Sequence, residues 1–120
     1  MKKFDDLMKV RETIENISVE EAKEKLNHPN VQFIDVRNKE SFENGTIDNA
    51  LNLERGLLEF YIAEGSPREK DMFKNNPEKE YIVFCNVGGQ STLATKTMKE
   101  MGVKNVKNMI GGYEEWKQKR

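Results

Sequence analysis

The sequence is poor in residues that bind metals or form disulfide bonds. Its 120 residues include one cysteine and one histidine. A single cysteine excludes an internal disulfide, and one cysteine with one histidine cannot form the cysteine and histidine cluster that binds zinc. We therefore expect no metal and no organic cofactor, and any second thiol in the chemistry must come from another molecule.

Long apolar runs are also absent. No segment approaches the roughly 18 continuous apolar residues of a membrane span, and residues 1–10 lack the apolar core of a signal peptide. Lysine and arginine total 20 against 21 aspartates and glutamates, so electrostatic capture of nucleic acid or of an anionic membrane is not expected. The sequence predicts a cytoplasmic protein without a nucleic-acid or membrane partner.

Strand and helix patterns alternate regularly in a chain that is long enough for one domain. The predicted strands cover residues 13–17, 31–36, 50–53, 81–84 and 103–109. The predicted helices cover residues 18–27, 39–44, 57–65, 66–75, 91–101 and 113–119. Units of this length are typical of parallel β-α-β crossovers, which predicts an α/β fold with a small parallel sheet and helices on both faces. Residues 1–12 are predicted to be an N-terminal extension of a domain that covers residues 13–120.

Three serines fit the first position of a predicted helix. Ser18 stands three residues before Glu21, which is the capping-box pattern. Ser66 precedes Pro67, a residue favoured in the first turn of a helix, and Ser91 precedes a run of apolar positions at helical spacing. All three are predicted as N-cap residues.

The stretch from residue 81 to residue 101 carries the clearest chemistry. Its first four residues are apolar and predict a strand buried on both faces, with Cys85 directly after it. Gly88 and Gly89 permit a tight turn whose backbone N–H groups point inward. Such a turn would surround Cys85 with amide donors at the positive end of a helix, which stabilise the nucleophilic thiolate and would hold an anionic group.

Cys85 is therefore predicted to be the catalytic nucleophile. The alternative is that a lone cysteine after a buried strand is only a small core hydrophobe. The predicted substrate-binding residues are those of the loop that follows it: Asn86, Val87, Gly88, Gly89, Gln90 and Ser91.

Two motifs make the chain resemble the rhodanese-like domain family. The segment of residues 33–53, FIDVRNKESFENGTIDNALNL, resembles the D-V-R strand end and the E-x-G-H-I-x-G-A pattern of the family's first half. The second half resembles a C-x-x-G-x-R-S loop, a helix, a last strand and a G-G-x-x-x-W ending. The residues that carry this second likeness are Cys85, Gly88, Ser91, Ala94, Gly102, Val106, Gly111, Gly112 and Trp116. The two motifs occur in the family's order and at its separation, from about residue 17 onward.

The resemblance implies a rhodanese-like α/β domain with sulfurtransferase activity. Cys85 would take a sulfane sulfur from a small anionic donor, thiosulfate or a persulfide, and pass it to a thiol acceptor, which can be another protein. It further implies that Asp35, Arg37 and Glu43 support the loop structurally. Arg55 is predicted to bind the anionic substrate, because the rim of such sites is often basic.

Three positions depart from the family pattern. Gln90 stands where active members often have arginine, Thr46 where they often have histidine, and Asn49 where they often have glycine. Gln90 favours a second hypothesis, a weak or inert binding or sulfur-sensing module. A third hypothesis, a phosphatase or arsenate reductase, would need an arginine six residues after the cysteine, where this chain has Ser91.

Overall fold

The computed structural model describes residues 1–119, and across them the chain forms five β-strands, seven α-helices and two 3₁₀ helices. The strands are Glu15–Ile17 (β1), Val31–Asp35 (β2), Leu51–Asn52 (β3), Glu80–Phe84 (β4) and Val106–Met109 (β5). The α-helices are Phe4–Met8 (α1), Val19–Glu24 (α2), Lys39–Glu43 (α3), Leu58–Ile62 (α4), Met72–Asn75 (α5), Gly89–Glu100 (α6) and Gly112–Gln118 (α7). The 3₁₀ helices are Lys9–Thr13 and Arg55–Leu57. None of the helices within residues 1–119 is long and apolar enough to cross a membrane.

The five strands form one parallel sheet in the order β1-β5-β4-β2-β3. The central strand β4 is buried along its whole length. This confirms the predicted α/β fold, since parallel neighbours need crossover connections that place helices over the faces of the sheet. The carboxyl ends of the strands, where β4 delivers Cys85, all lie at one edge of the sheet.

The sheet separates two hydrophobic clusters because successive side chains of a strand point to opposite faces. Tyr81 and Val83 of β4 belong to the cluster that α4 and α6 cover. Ile82 and Phe84 belong to the other cluster, which α2 covers and against which Trp116 of α7 packs. The helices therefore lie on both faces, as predicted.

The predicted helix starts have mixed outcomes. The capping box at Ser18 is confirmed, because its side chain accepts from Glu21 N at 3.1 Å and Glu21 Oε1 accepts from Ser18 N. Ser91 is not an N-cap, since α6 begins two residues earlier, after Gly88 with φ +113°. The predicted helix at residues 66–75 is also wrong over its first half. Ser66 Oγ accepts from Arg68 N within a turn, and only α5 is helical.

The predicted N-terminal extension lies against the domain. Residues 4–13 form α1 and the first 3₁₀ helix, and the 3₁₀ helix contacts α6. Arg11 Nε donates to Thr92 Oγ1 at 3.1 Å, and Lys99 Nζ donates to the carbonyl of Thr13 at 2.9 Å. These contacts hold the 3₁₀ helix along α6, from its first turn at Thr92 to its last turn at Lys99.

Candidate active site

Cys85 lies directly after β4 and has a closely packed sulfur environment. The residue is only 3% exposed. Its Sγ accepts hydrogen bonds from the backbone N–H groups of Gly88 at 3.1 Å and Ser91 at 3.3 Å, and it lies 3.4 Å from Ser91 Oγ. The loop amides therefore turn toward the sulfur, where they stabilise the charge of a thiolate.

Gly88 makes this geometry possible. Its φ of +113° lies in a region that residues with a side chain rarely adopt, and it brings α6 to its first residue within four positions of Cys85. Within residues 1–119, the backbone N–H groups at positions 86, 87, 89 and 90 have no hydrogen-bond acceptor. These four amides are available to a bound anionic group, whereas the side chains of Asn86, Val87 and Gln90 are exposed.

The start of α7 holds the other side of the loop. Tyr113 N donates to the carbonyl of Cys85 at 2.9 Å, and Glu114 N donates to the carbonyl of Asn86 at 3.0 Å. A Cβ at Gly112 would lie 2.4 Å from the carbonyl oxygen of Asn86, so only glycine allows this approach. The Gly111 and Gly112 pair thus serves the cysteine loop as well as the start of the last helix.

Asn108 is a site residue that the sequence analysis did not identify. It lies on β5, is fully buried, and accepts from Ser91 Oγ at 2.6 Å through its Oδ1. Its amide nitrogen donates to Asn16 Oδ1 at 3.1 Å and to Thr92 Oγ1 at 3.2 Å. Asparagine is uncommon in strands, but the predicted strand at residues 103–109 also contains Asn105 and two lysines, so the sequence held no clear signal for Asn108. Asn108 fixes the hydroxyl of Ser91 beside the sulfur.

Asp35 and Arg37 form a buried ion pair at the end of β2. Asp35 Oδ2 accepts from Arg37 Nη2 at 2.8 Å, and Oδ1 accepts from Arg37 N and Nε. Thr46 Oγ1 donates to Asp35 Oδ2 at 2.9 Å, and the guanidinium lies over the ring of Tyr113, 4.6 Å from its centre. Since Tyr113 N binds the carbonyl of Cys85, the pair braces the start of α7 beside the loop.

Within residues 1–119, the side chains of Glu43 and Arg55 form no hydrogen bond with the cysteine loop or with the Asp35 and Arg37 pair. Glu43 lies exposed on α3, and its side chain has no hydrogen bond or ion pair with any of residues 1–119, so its support of the loop stays a prediction. The guanidinium of Arg55 is held by Glu59 Oε1 and Thr97 Oγ1, both at 3.1 Å. Substrate binding by Arg55 stays a prediction. Among residues 1–119, no cluster of three or more acidic, cysteine or histidine side chains could hold a metal ion.

Comparisons with known proteins found a matching family model and similar proteins. The family model described as Rhodanese-like domain matches residues 18–119. Thiosulfate sulfurtransferase GlpE of Coxiella burnetii is 34% identical over 101 residues, which cover 84% of this chain and 85% of that protein.

Two further relatives carry other descriptions. A tRNA uridine(34) hydroxylase of Photorhabdus laumondii is 27% identical over 115 residues, or 96% of this chain, yet the match spans only 32% of that protein's length. A solved structure from Rhodopseudomonas palustris, described as a protein of unknown function and possible tyrosine phosphatase, has a TM-score of 0.88 and 29% identity. The match covers 98% of this chain and 91% of that one.

Proposed function

The chain belongs to the rhodanese-like domain family, and on that premise we propose that it is a sulfurtransferase that carries a sulfane sulfur on Cys85. The donor is thiosulfate or a persulfide, and the acceptor is a thiol or another thiophilic group. One observation carries the proposal: two backbone N–H groups donate to Cys85 Sγ at 3.1 and 3.3 Å. The similarity to a thiosulfate sulfurtransferase at 34% identity supports it.

The reaction follows from nucleophilic catalysis in two steps. The Cys85 thiolate attacks the sulfane sulfur of thiosulfate, a new S–S bond forms, and sulfite leaves with the electron pair of the broken S–S bond. The outer sulfur of the resulting persulfide is negatively charged, and the free N–H groups of residues 86, 87, 89 and 90 would stabilise it. A thiolate or cyanide then attacks that outer sulfur, and Cys85 departs as a thiolate.

The burial of Cys85 favours a small donor. At 3% exposure Cys85 presents little surface to a donor, whereas the neighbouring side chains of Asn86, Val87 and Gln90 are exposed. A protein acceptor would have to bring its thiol to the same sulfur. The cytoplasm, expected from the sequence, is part of the same proposal because it keeps thiols reduced and available as acceptors.

Phosphoryl transfer is less well supported by the same loop. A phosphatase of this kind clamps the phosphate oxygens with a guanidinium. Residues 85–92 include no arginine, and the Ser91 hydroxyl at the expected position is buried and bonded to Asn108. The absence of charge in the loop does favour a second candidate, a sulfur-sensing module that accepts sulfur and does not pass it on.

Mass spectrometry after incubation with thiosulfate or polysulfide tests the proposal. The wild type should gain one sulfur, about 32 Da, and then lose it to cyanide with release of thiocyanate. Cys85→Ser should gain nothing, and the assignment is unambiguous because Cys85 is the sole cysteine. An adduct that cyanide does not remove would favour the sensing module. No adduct with any donor would contradict both candidates.

A further inference from the structure

Arg11 reaches the cysteine loop from the segment that precedes β1. Its Nε donates to Thr92 Oγ1 at 3.1 Å, and that hydroxyl donates to the carbonyl of Gly88 at 2.6 Å. A Cβ built on Gly88 would lie 3.2 Å from Arg11 Nη2. Because Gly88 N donates to Cys85 Sγ, the guanidinium lies beside the residue whose amide binds the sulfur.

Arg11 is fixed in this position by the same polar network that holds Ser91. The Arg11 carbonyl accepts from Asn16 Nδ2 at 3.0 Å, and Asn16 Oδ1 accepts from Asn108 Nδ2 at 3.1 Å. Asn108 Oδ1 in turn accepts from Ser91 Oγ. The 3₁₀ helix that carries Arg11 is therefore tied to the sulfur environment at two points.

The charge of Arg11 is not compensated within residues 1–119. Its guanidinium forms no salt bridge with any of them, and its two terminal nitrogens donate to none of them. The side chain is half-buried, which leaves part of it accessible. The loop itself, residues 85–92, contains no charged side chain. Arg11 is thus a cation with two free donor groups next to an uncharged loop of amides.

We propose that Arg11 is a binding residue for an anionic sulfur donor at the Cys85 loop, which rests on the proposed function. A guanidinium donates to the oxygens of a sulfonate or sulfite group in pairs, and it keeps its charge at all relevant pH values. During transfer, the bond between the sulfane sulfur and the sulfonate sulfur breaks, and the sulfite keeps the electron pair. Arg11 binds its oxygens before and after that step, so it lowers KM more than it raises kcat. The loop therefore prefers doubly charged donors such as thiosulfate over singly charged persulfides.

Isothermal titration of thiosulfate into Cys85→Ser protein measures this binding without turnover. Adding Arg11→Met should weaken the affinity about tenfold, because a charge-assisted pair of hydrogen bonds is lost. Adding Arg11→Lys, which keeps the charge but loses the paired donors, should weaken it by less than Arg11→Met does. Arg68→Met, on an exposed turn, is the matched control and should change nothing.

Two results would overturn the inference. They are an absence of thiosulfate binding in the Cys85→Ser parent, or an equal affinity after Arg11→Met. Should Arg11→Met fail to fold, Arg11→Gln replaces it, since glutamine keeps a donor for Thr92 without the charge. The proposed function is tested separately, because sulfur uptake by wild type is read from its mass. A wild type that takes up no sulfur, but whose Cys85→Ser form binds thiosulfate through Arg11, would contradict the sulfurtransferase proposal alone.

Discussion

Gly112 determines how closely the start of α7 approaches the cysteine loop. Its φ is +63°, and its missing side chain leaves room for the carbonyls of Cys85 and Asn86. Those carbonyls accept from the next two amides of α7, so the loop and the helix form one hydrogen-bonded unit. The absence of a side chain at Gly112 therefore determines the shape of the site.

Replacing Gly112 with alanine should destabilise the protein by about 3 kcal/mol or more. The added Cβ would lie within 2.7 Å of three backbone atoms of residues 85 and 86, and a left-handed backbone adds strain. Urea unfolding measures the free energy of unfolding of the variant and the wild type.

Substitutions at two other glycines separate the steric clash at Gly112 from the strain of its left-handed backbone. Gly65 has φ +83° with no atom within 4 Å of an added Cβ, so Gly65→Ala should cost only about 1 kcal/mol of backbone strain. Gly56 has neither positive φ nor a close neighbour, and Gly56→Ala should be neutral or stabilising by up to about 1 kcal/mol. Equal losses at Gly112 and Gly65 would contradict the steric role of Gly112.

Residues that act through neighbours in sequence could be predicted, and residues that act through space could not. Cys85 and Gly88 stand three positions apart, so their pattern predicts an amide at the sulfur without knowledge of the fold. Asn108 meets Ser91 across 17 positions, and Arg11 meets Thr92 across 81. No local pattern encodes which edge of the sheet or which helix the N-terminal segment will contact.

Glu80 joins three elements at the end of the sheet remote from Cys85. It begins β4 and pairs with Lys25, just after α2, and with Lys107 on β5. Burial alone would raise the pKa of Glu80, but hydrogen bonds and charge from Lys107 and Lys25 outweigh it and hold that pKa below the ordinary 4.5. Burial likewise opposes the charge of Lys107, yet Glu80 raises its pKa above 10.5.

Glu80→Gln should destabilise the protein at pH 7 by about 2 kcal/mol and have little effect in acid. A carboxylate whose pKa is lowered by folding contributes stability above its unfolded pKa, and that contribution disappears as pH falls through the folded pKa. The difference between variant and wild type should therefore shrink below about pH 4.5. Urea unfolding at pH 7 and at pH 3.5 provides the comparison.

Glu114→Gln is the control for the pH series. Glu114 pairs with Lys117 within α7, and both side chains are nearly half exposed, so this pair should contribute under about 0.5 kcal/mol. A loss at Glu80 that stays constant between pH 7 and pH 3.5 would show that the carboxylate charge is not what joins the three elements.

The predicted helix starts show where sequence patterns succeed and where they fail in locating an element. Ser18 was predictable because its capping box is complete within four residues. Ser91 also precedes apolar positions at helical spacing, but Gly88 turns the chain early and the hydroxyl of Ser91 bonds to Asn108 inside the protein. Ser91, the third residue of its helix, thus forms a tertiary hydrogen bond, and capping rules describe only local hydrogen bonds.

At the scale of the whole molecule, one sheet contributes side chains to both hydrophobic clusters. Strand β4 alternates between them, with Val83 on the α6 face and Phe84 on the α7 face. The parallel order also gathers the ends of β2, β4 and β5 at one edge, where Asp35, Cys85 and the turn before α7 meet. The alternation of strands and helices in the sequence was sufficient to predict a parallel sheet with helices on both faces, because parallel neighbours need crossover connections. The order of the strands was not predicted.

Because the two clusters share β4, we expect them to unfold together. Met98 of α6 is fully buried on one face, so Met98→Ala should cost about 2 to 4 kcal/mol. Trp116 lies on the other face, 5.6 Å from the ring of Phe33, and its fluorescence reports that side. Far-UV circular dichroism and tryptophan fluorescence should give the same urea midpoint in wild type, and both should shift equally in the variant.

Met101→Ala, at a partly buried position just after the same helix, should shift both midpoints by less. A fluorescence transition that stays at the wild-type midpoint while the circular dichroism transition moves would contradict the coupling and mean that each face of the sheet unfolds as a separate unit.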